Sequence, residues 1–303
     1  MNIGVIMGGI SSEREISLKT GKEIAMNLNS EKYKVSEIII NSTEELIEKV
    51  KNIDFAFIAL HGKFGEDGTI QSVLKTLNIP YSGCDSLSSA ICMDKDMTKK
   101  ILKYADIRTG KWISLNSLEE LNYEQINKLS YPVVIKPNSG GSSVATNLIS
   151  EEKDVKNAIE EAFKYDTEVM IEEYIKGDEI TCCILKGKML PVLAIKPKSH
   201  FFDYTSKYED GGAEEIIVNL NEKLHKEVEE MAIACWKELK CNVYARVDMI
   251  VKEGIPYILE INTLPGMTKN SLFPKSAAGV NMDFKMLLEN IIQYSIEERK
   301  NKI

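Results

Sequence analysis

The sequence has few of the residues that build thiolate, imidazole or membrane sites. It contains three histidines and six cysteines, and no two cysteines have CxxC spacing. We therefore expect neither a disulfide framework nor a metal–thiolate site, and we interpret the cysteines as small core residues. No apolar run approaches the ~18 residues that a membrane span needs, so we expect no membrane partner.

The sequence also has fewer basic residues than acidic ones. The formal net charge is −8, from 38 basic and 46 acidic residues, which argues against a nucleic-acid partner. Residues 3–7 already have the pattern of a strand, and no signal-peptide pattern precedes them, so we expect a cytoplasmic enzyme. A length of 303 residues with 44% hydrophobic residues allows two or three domains with cores of their own.

The first ninety residues alternate between strand and helix patterns. Such alternation predicts a parallel α/β sheet, whose ligands lie at the carboxyl ends of its strands. The predicted strands are 3–7, 35–40 and 54–60, and the predicted helices are 13–29, 43–51 and 69–77.

From Asp94 onward the pattern becomes mixed, which predicts an α+β organisation. We expect three domains, with boundaries 1–93, 94–177 and 178–303. Residues 196–213 show no clear periodicity, which is typical of a lid or functional loop. The other predicted strands are 111–115, 132–136, 168–172, 179–185 and 188–195, and the other predicted helices are 95–105, 151–165, 221–239 and 283–299.

Two further strands, 243–251 and 256–263, are joined by a short Gly-containing linker and predict a hairpin. Residues two apart on a strand share a face, so Arg246 lies beside Asp248, and Glu260 lies beside Asn262. Hard oxygen ligands of this kind suit Mg²⁺ that carries phosphates. A solvated hairpin face is the alternative interpretation.

Several polar loops are candidates for contacts with phosphate or substrate. Residues 138–145 form a Gly/Ser loop after a strand that ends in Lys136, a pattern that fits either a phosphate loop or a plain turn. Lys95 opens a helix against the helix-dipole preference, which indicates a phosphate contact. Glu13 and His61 follow strands at the edge where an open sheet binds ligands.

The segment 172–175 links two predicted strands and two predicted domains. Its free backbone N–H and C=O groups could bind an adenine ring, so we call it the adenine hinge. Glu179 lies a few residues beyond it and could accept bonds from ribose hydroxyls. Edge charges around a turn explain the same residues equally well.

Taken together, these blocks resemble the ATP-grasp superfamily and, within it, the D-alanine–D-alanine ligase family. The resemblance runs along the whole chain. It rests on blocks in matching order, at 8–15, 61–68, 93–95, 134–137, 141–144, 202–208, 246–248, 260–268 and 271–272.

The resemblance implies a three-domain ATP-grasp architecture and a reaction in two steps. ATP, a co-substrate, phosphorylates the carboxylate of one D-alanine, and the amine of a second D-alanine then displaces phosphate to give D-alanyl-D-alanine for peptidoglycan precursor. Two Mg²⁺ ions, with Mn²⁺ as a substitute, are the implied cofactors, and the family suggests a homodimer.

The resemblance also implies a role for each candidate residue. The ATP-binding set is Lys95, Lys136, Ser142, Glu172, Glu173, Ile175, Glu179 and Lys207. The metal ligands are Asp248, Glu260 and Asn262. The substrate-binding set is Glu13, His61, Arg246, Gly266, Ser271 and Leu272. The residues implied in catalysis are Glu13, Ser142, Tyr208, Arg246, Gly266 and Ser271.

Three departures from the family pattern stand out. Glu173 occupies a position where many relatives have Lys, Ala145 ends the Gly/Ser loop where Gly is common, and Lys275 replaces a common Met.

Three other functions share part of this pattern. D-serine as second substrate differs by one hydroxyl, which a pocket rejects only weakly. Another ATP-grasp carboxylate–amine ligase is expected to lack Glu13, His61 and Tyr208. A non-catalytic nucleotide-binding regulator is expected to have lost some of Arg246 and the metal ligands.

Overall fold

The computed structural model describes residues 1–141, 144–197 and 213–300. The predictions for Ser142, Lys207 and Tyr208, and most of the predicted lid, lie outside these residues. Within the described ranges, no helix is both long and apolar enough to cross a membrane.

The chain begins with a three-stranded parallel sheet, which confirms the predicted α/β start. Ile3, Val5 and Ile6 on its central strand are fully buried, because helices cover both faces of a parallel sheet. The strands are β1 (Asn2–Gly8), β2 (Lys34–Ile40) and β3 (Phe55–Ile58), in the order β2-β1-β3, and the helices are α1 (Arg14–Asn27), α2 (Glu45–Lys49) and α3 (Thr69–Thr76).

A four-stranded antiparallel sheet follows, in the order β4-β7-β5-β6. Its strands are β4 (Trp112–Leu115), β5 (Val133–Pro137), β6 (Asn147–Ile149) and β7 (Val169–Glu173). Helices α6 (Tyr123–Asn127) and α7 (Val155–Ala162) share the apolar cluster of this sheet, whereas α4 (Ser86–Met93) and α5 (Lys95–Tyr104) bury residues in the cluster of the next sheet. Neither α4 nor α6 was predicted, and the predicted helix over 151–165 begins as a short 3₁₀ turn before α7.

The largest sheet has six strands, in the order β11-β10-β8-β12-β13, with β9 paired to β8. Its strands are β8 (Asp178–Leu185), β9 (Lys188–Met189), β10 (Leu193–Pro197), β11 (Ala213–Ile217), β12 (Tyr244–Lys252) and β13 (Ile255–Asn262). The remaining helices are α8 (Glu222–Glu238), α9 (Leu272–Ala278) and α10 (Phe284–Lys300).

The predicted hairpin is formed by β12 and β13. Glu253 and Gly254 make its two-residue turn with positive φ angles of 53° and 77°, as a tight hairpin turn requires. The pairing shifts register after Asp248, where Leu259 is the extra residue of a β-bulge. The bulge breaks the alternation of β13 just before Glu260, which re-aims the end of this strand.

Each sheet falls within one of the predicted domains, but the cores do not follow the same boundaries. Phe273 of α9 and Leu287 and Leu288 of α10 are fully buried in the same apolar cluster as the first sheet. The end of the chain therefore packs against its beginning, and the boundaries after residues 93 and 177 stay a prediction.

Candidate active site

A single cleft of about 1070 Å³ collects the candidate residues. Every candidate that the structure describes lines it, from Glu13 near the start of the chain to Leu272 near the end. The full set is Glu13, His61, Lys95, Lys136, Glu172, Glu173, Ile175, Glu179, Arg246, Asp248, Glu260, Asn262, Gly266, Ser271 and Leu272.

The side chains of the β12–β13 hairpin point in the directions that the alternation predicts. Arg246 lies directly opposite Asn262, and Asp248 lies opposite Glu260, so all four side chains share one face. The Arg246 guanidinium binds the Asp248 carboxylate at two points, Nε–Oδ1 at 2.9 Å and Nη2–Oδ2 at 2.7 Å. Burial alone would lower the pKa of Arg246, but the Asp248 carboxylate raises it above its ordinary value. The guanidinium is therefore a permanent charge at this wall of the cleft.

The residues of this face suit a magnesium ion. Two carboxylates and an amide supply hard oxygen atoms, which Mg²⁺ prefers, and the rest of its octahedral shell normally comes from phosphate and water. The described residues include no group of three or more His, Cys, Asp or Glu side chains arranged to hold a metal without such help. The Asp248 carboxylate also accepts a hydrogen bond from Thr181 Oγ1 at 2.5 Å, which fixes its orientation.

A buried carboxylate on β7 lies between two lysines at one wall of the cleft. Glu172 Oε1 lies 2.5 Å from Lys136 Nζ, and Glu172 Oε2 lies 3.0 Å from Lys99 Nζ. Lys136 and Glu172 are diagonal neighbours on one face of β5 and β7, because Lys136 pairs with Met170. Burial alone would raise the pKa of Glu172, but the charges of Lys136 and Lys99 hold it at about 2.

Lys95 joins helix α5 to the Gly/Ser loop. Asp94 is the N-cap of α5, and its carboxylate accepts a hydrogen bond from the Met97 N–H. The Lys95 amine donates to the carbonyl of Gly140 at 2.6 Å and lies 3.8 Å from Glu260 Oε2. A cation between the loop and the hairpin is well placed for a phosphate chain.

The predicted adenine hinge follows Glu172 at the end of β7. Ile175 is buried, and Glu179 lies on β8. The Glu173 side chain turns back to accept a hydrogen bond from the Lys111 N–H at 2.8 Å. Its carboxylate therefore ties the end of β7 to the backbone just before β4.

The crevice of the first sheet holds Glu13 and His61, both buried. The His61 ring lies 3.1 Å from Thr20 Oγ1 through Nε2 and 3.6 Å from the Glu66 carboxylate through Nδ1. Burial raises the pKa of Glu66, while His61 opposes this effect. A Cβ added at Gly62 would lie 2.8 Å from Glu13 Oε2, so this glycine leaves room for the carboxylate.

The loop after β13 forms the remaining wall. Ser271 is the N-cap of α9, and its hydroxyl accepts a hydrogen bond from the Thr268 N–H at 3.1 Å. A Cβ added at Gly266 would lie 3.1 Å from Ser271 Oγ, so the two residues are in close contact. The Lys275 amine, at a departure from the family pattern, pairs with Glu215 at 2.6 Å and also lines the cleft.

Lys99 and Glu66 are two residues of the site that were not predicted from the sequence. Lys99 lies four residues after Lys95, so the two share one face of α5, and this spacing is the signal that could have identified it. Glu66 lies in the same loop as His61, but nothing in the sequence distinguishes it from the neighbouring Asp67.

The three sheets and their shared cleft define an ATP-grasp fold, and comparisons with known proteins agree. The structure of the D-alanine–D-alanine ligase from Bacillus anthracis complexed with ATP superposes with a TM-score of 0.92 at 48% identity, over 100% of both chains. The VanG D-Ala:D-Ser ligase from Enterococcus faecalis is more distant, with a TM-score of 0.84 at 32% identity, over 97% of this chain and 99% of that one.

The family follows from sequence comparison. The family model described as D-ala D-ala ligase C-terminus matches residues 95–293, and the model for the N-terminus matches residues 2–49 and 41–84. A D-alanine–D-alanine ligase from Clostridium botulinum is 66% identical over 297 residues, which cover 98% of this chain and 99% of that relative. The chain belongs to the D-alanine–D-alanine ligase family.

Proposed function

We propose that the protein uses ATP to join two D-alanine molecules into D-alanyl-D-alanine, a building block of peptidoglycan precursor. The observation that carries the proposal is the single cleft that gathers every described candidate from all three sheets. High identity to a ligase named for D-alanine, against 32% to a D-Ala:D-Ser ligase, favours D-alanine over D-serine as second substrate.

The first step is phosphoryl transfer to a carboxylate. A carboxylate oxygen of the first D-alanine forms a bond to the γ-phosphorus of ATP, and the bond to ADP breaks. Lys95 and Lys136 hold the phosphates, and Glu13 pairs with the ammonium group of the substrate. Bound Mg²⁺, held by Asp248, Glu260 and Asn262, supplies charge neutralisation at the phosphates. Chemistry of this kind depends on positioning and electrostatics.

The second step is attack by an amine. The amine nitrogen of the second D-alanine bonds to the acyl carbon and loses a proton, and phosphate departs with one oxygen of the original carboxylate. Arg246 and the Gly266 N–H stabilise the oxyanion that develops on the carbonyl. Ser271 and Leu272 receive the carboxylate of the second substrate.

The proposal extends to the wider setting of the enzyme. We place it in the cytoplasm, where ATP is available, and we expect a homodimer by analogy with the family. Ser142, Lys207 and Tyr208 complete the site in this proposal, with the loop that carries Tyr208 closing over the phosphates.

The experiment combines purified protein, ATP and Mg²⁺ with single D-amino acids or pairs of them. We expect phosphate release and a dipeptide of the mass of D-alanyl-D-alanine with D-alanine alone, and no dipeptide with L-alanine. D-serine in competition should give a minor mixed product. Absence of dipeptide with D-alanine would overturn the assignment.

A further inference from the structure

Glu172 and its two lysines pose a problem for the proposed function. Lys136 is to bind ATP phosphates, yet its amine lies 2.5 Å from the Glu172 carboxylate. Within the described ranges, Glu172 is the one hydrogen-bonding partner of the Lys136 amine, while the Glu260 carboxylate acts on it at longer range. A phosphate that draws Lys136 away would leave Glu172 buried without that partner, and a buried unpaired charge is strongly unfavourable.

Lys99 is buried behind Glu172 and has more hydrogen-bond partners than Lys136. Its side chain is 1% exposed, and it is absent from the described residues that line the cleft. Its ammonium group meets three acceptors, Glu172 Oε2 at 3.0 Å, Thr109 Oγ1 at 2.8 Å and the Gly110 carbonyl at 3.3 Å. An ammonium group has three N–H donors, so all of them are used.

Thr109 in turn fixes Lys99 to the largest sheet. Its hydroxyl donates to the carbonyl of Ile258 on β13 at 2.8 Å. Lys99 is thus held behind Glu172 by fixed backbone and side-chain acceptors. Lys136 lines the cleft, and among the described residues only Glu172 forms a hydrogen bond with its amine.

We propose that Lys99 is a positioning residue that keeps Glu172 paired while Lys136 moves from Glu172 to the phosphates of ATP. The proposal rests on the ATP-binding role of Lys136 in the proposed function. In the free protein the carboxylate is shared by two lysines. In the ATP complex Lys99 alone neutralises it, and Glu172 stays ionised and able to accept a hydrogen bond from the adenine amino group.

The test compares ATP with adenosine, which carries no phosphate and so leaves Lys136 on Glu172. Dissociation constants are measured by displacement of a fluorescent nucleotide in the presence of Mg²⁺. We expect Lys99→Met to weaken ATP binding by about tenfold or more and adenosine binding by less than about threefold, since only ATP removes Lys136 from Glu172. Equal losses for the two ligands, or no loss for ATP, would overturn the proposal.

Two further comparisons keep the test decisive. The control Lys100→Met removes an exposed lysine of the same helix, whose partner is Asp96, and should change neither constant by more than about twofold. If Lys99→Met does not fold, Lys99→Met/Glu172→Gln is compared with Glu172→Gln alone. Equal ATP affinity supports the proposal, because neutral Gln needs no counter-charge. A further loss of about tenfold contradicts it, since Lys99 would then act independently of Glu172.

These titrations require no turnover, so they separate the two proposals. Wild-type protein that binds ATP and makes no dipeptide contradicts the ligase activity alone. Wild-type protein that binds no ATP contradicts both.

Discussion

Glu172→Gln is expected to lower the free energy of unfolding by about 3 kcal/mol at neutral pH. The ordinary pKa of 4.5 falls to about 2 in the folded protein, because Lys136 and Lys99 outweigh the effect of burial. A difference of about 2.5 pKa units corresponds to about 3 kcal/mol. Gln has nearly the same shape and carries no charge, so the substitution removes this stabilisation and leaves two lysines without their shared partner.

The effect has a defined pH dependence. The folded pKa lies below the unfolded value, so the stabilisation is fully present above pH 4.5 and is lost as the pH falls through about 2. The gap between wild type and variant should therefore shrink from about 3 kcal/mol at pH 7 to about 1 kcal/mol at pH 3.

Urea unfolding followed by circular dichroism at a series of pH values measures this gap. Glu161→Gln serves as the control, because Glu161 pairs with Lys164 at the surface and such pairs contribute little. A gap that stays constant between pH 7 and 3, or that is negligible at pH 7, would refute the electrostatic account of Glu172.

Three further predictions concern the reaction. Arg246→Ala should lower turnover by about 10²- to 10³-fold and spare ATP binding, and unchanged turnover would rule Arg246 out as the oxyanion partner. Asp248→Asn should raise the Mg²⁺ concentration needed for half-maximal activity by about tenfold or more, and an unchanged Mg²⁺ titration would remove Asp248 from the metal site. Gly62→Ala should raise KM for D-alanine by about tenfold with KM for ATP unchanged, because the residue has a φ of 68° and its new Cβ would lie 2.8 Å from Glu13 Oε2. Equal effects on both KM values would contradict that position for Glu13.

The hairpin shows how far sequence reasoning extends into the site. Alternation and a Gly-containing linker were enough to predict that Arg246, Asp248, Glu260 and Asn262 share one face, because side-chain direction on a strand follows from position alone. The bulge at Leu259 could not be predicted, since it depends on how β13 pairs with β12. The direct pairing of Arg246 with Asp248 depends likewise on side-chain conformation.

The helices show what could not be predicted from the sequence. The unpredicted α4, α6 and α9 are short, and short helices gain their stability from tertiary packing. The spacing of four from Lys95 placed Lys99 on the same helix face, but its burial against Glu172 depends on how α5 packs, which the sequence does not show; Lys100 lies at the surface of the same helix. Ala145, which stands where Gly is common in the family, has a φ of 53°, a left-handed position where Gly fits more easily.

The most direct test of the account uses D-alanine labelled with oxygen-18 in both carboxylate positions. Activation of a carboxylate by ATP predicts that each phosphate released carries one labelled oxygen, with one D-alanyl-D-alanine formed for each phosphate. Mass spectrometry measures both products. Unlabelled phosphate, or labelled D-alanine recovered without dipeptide, would contradict the central claim that this cleft joins two D-alanine molecules through an acyl phosphate.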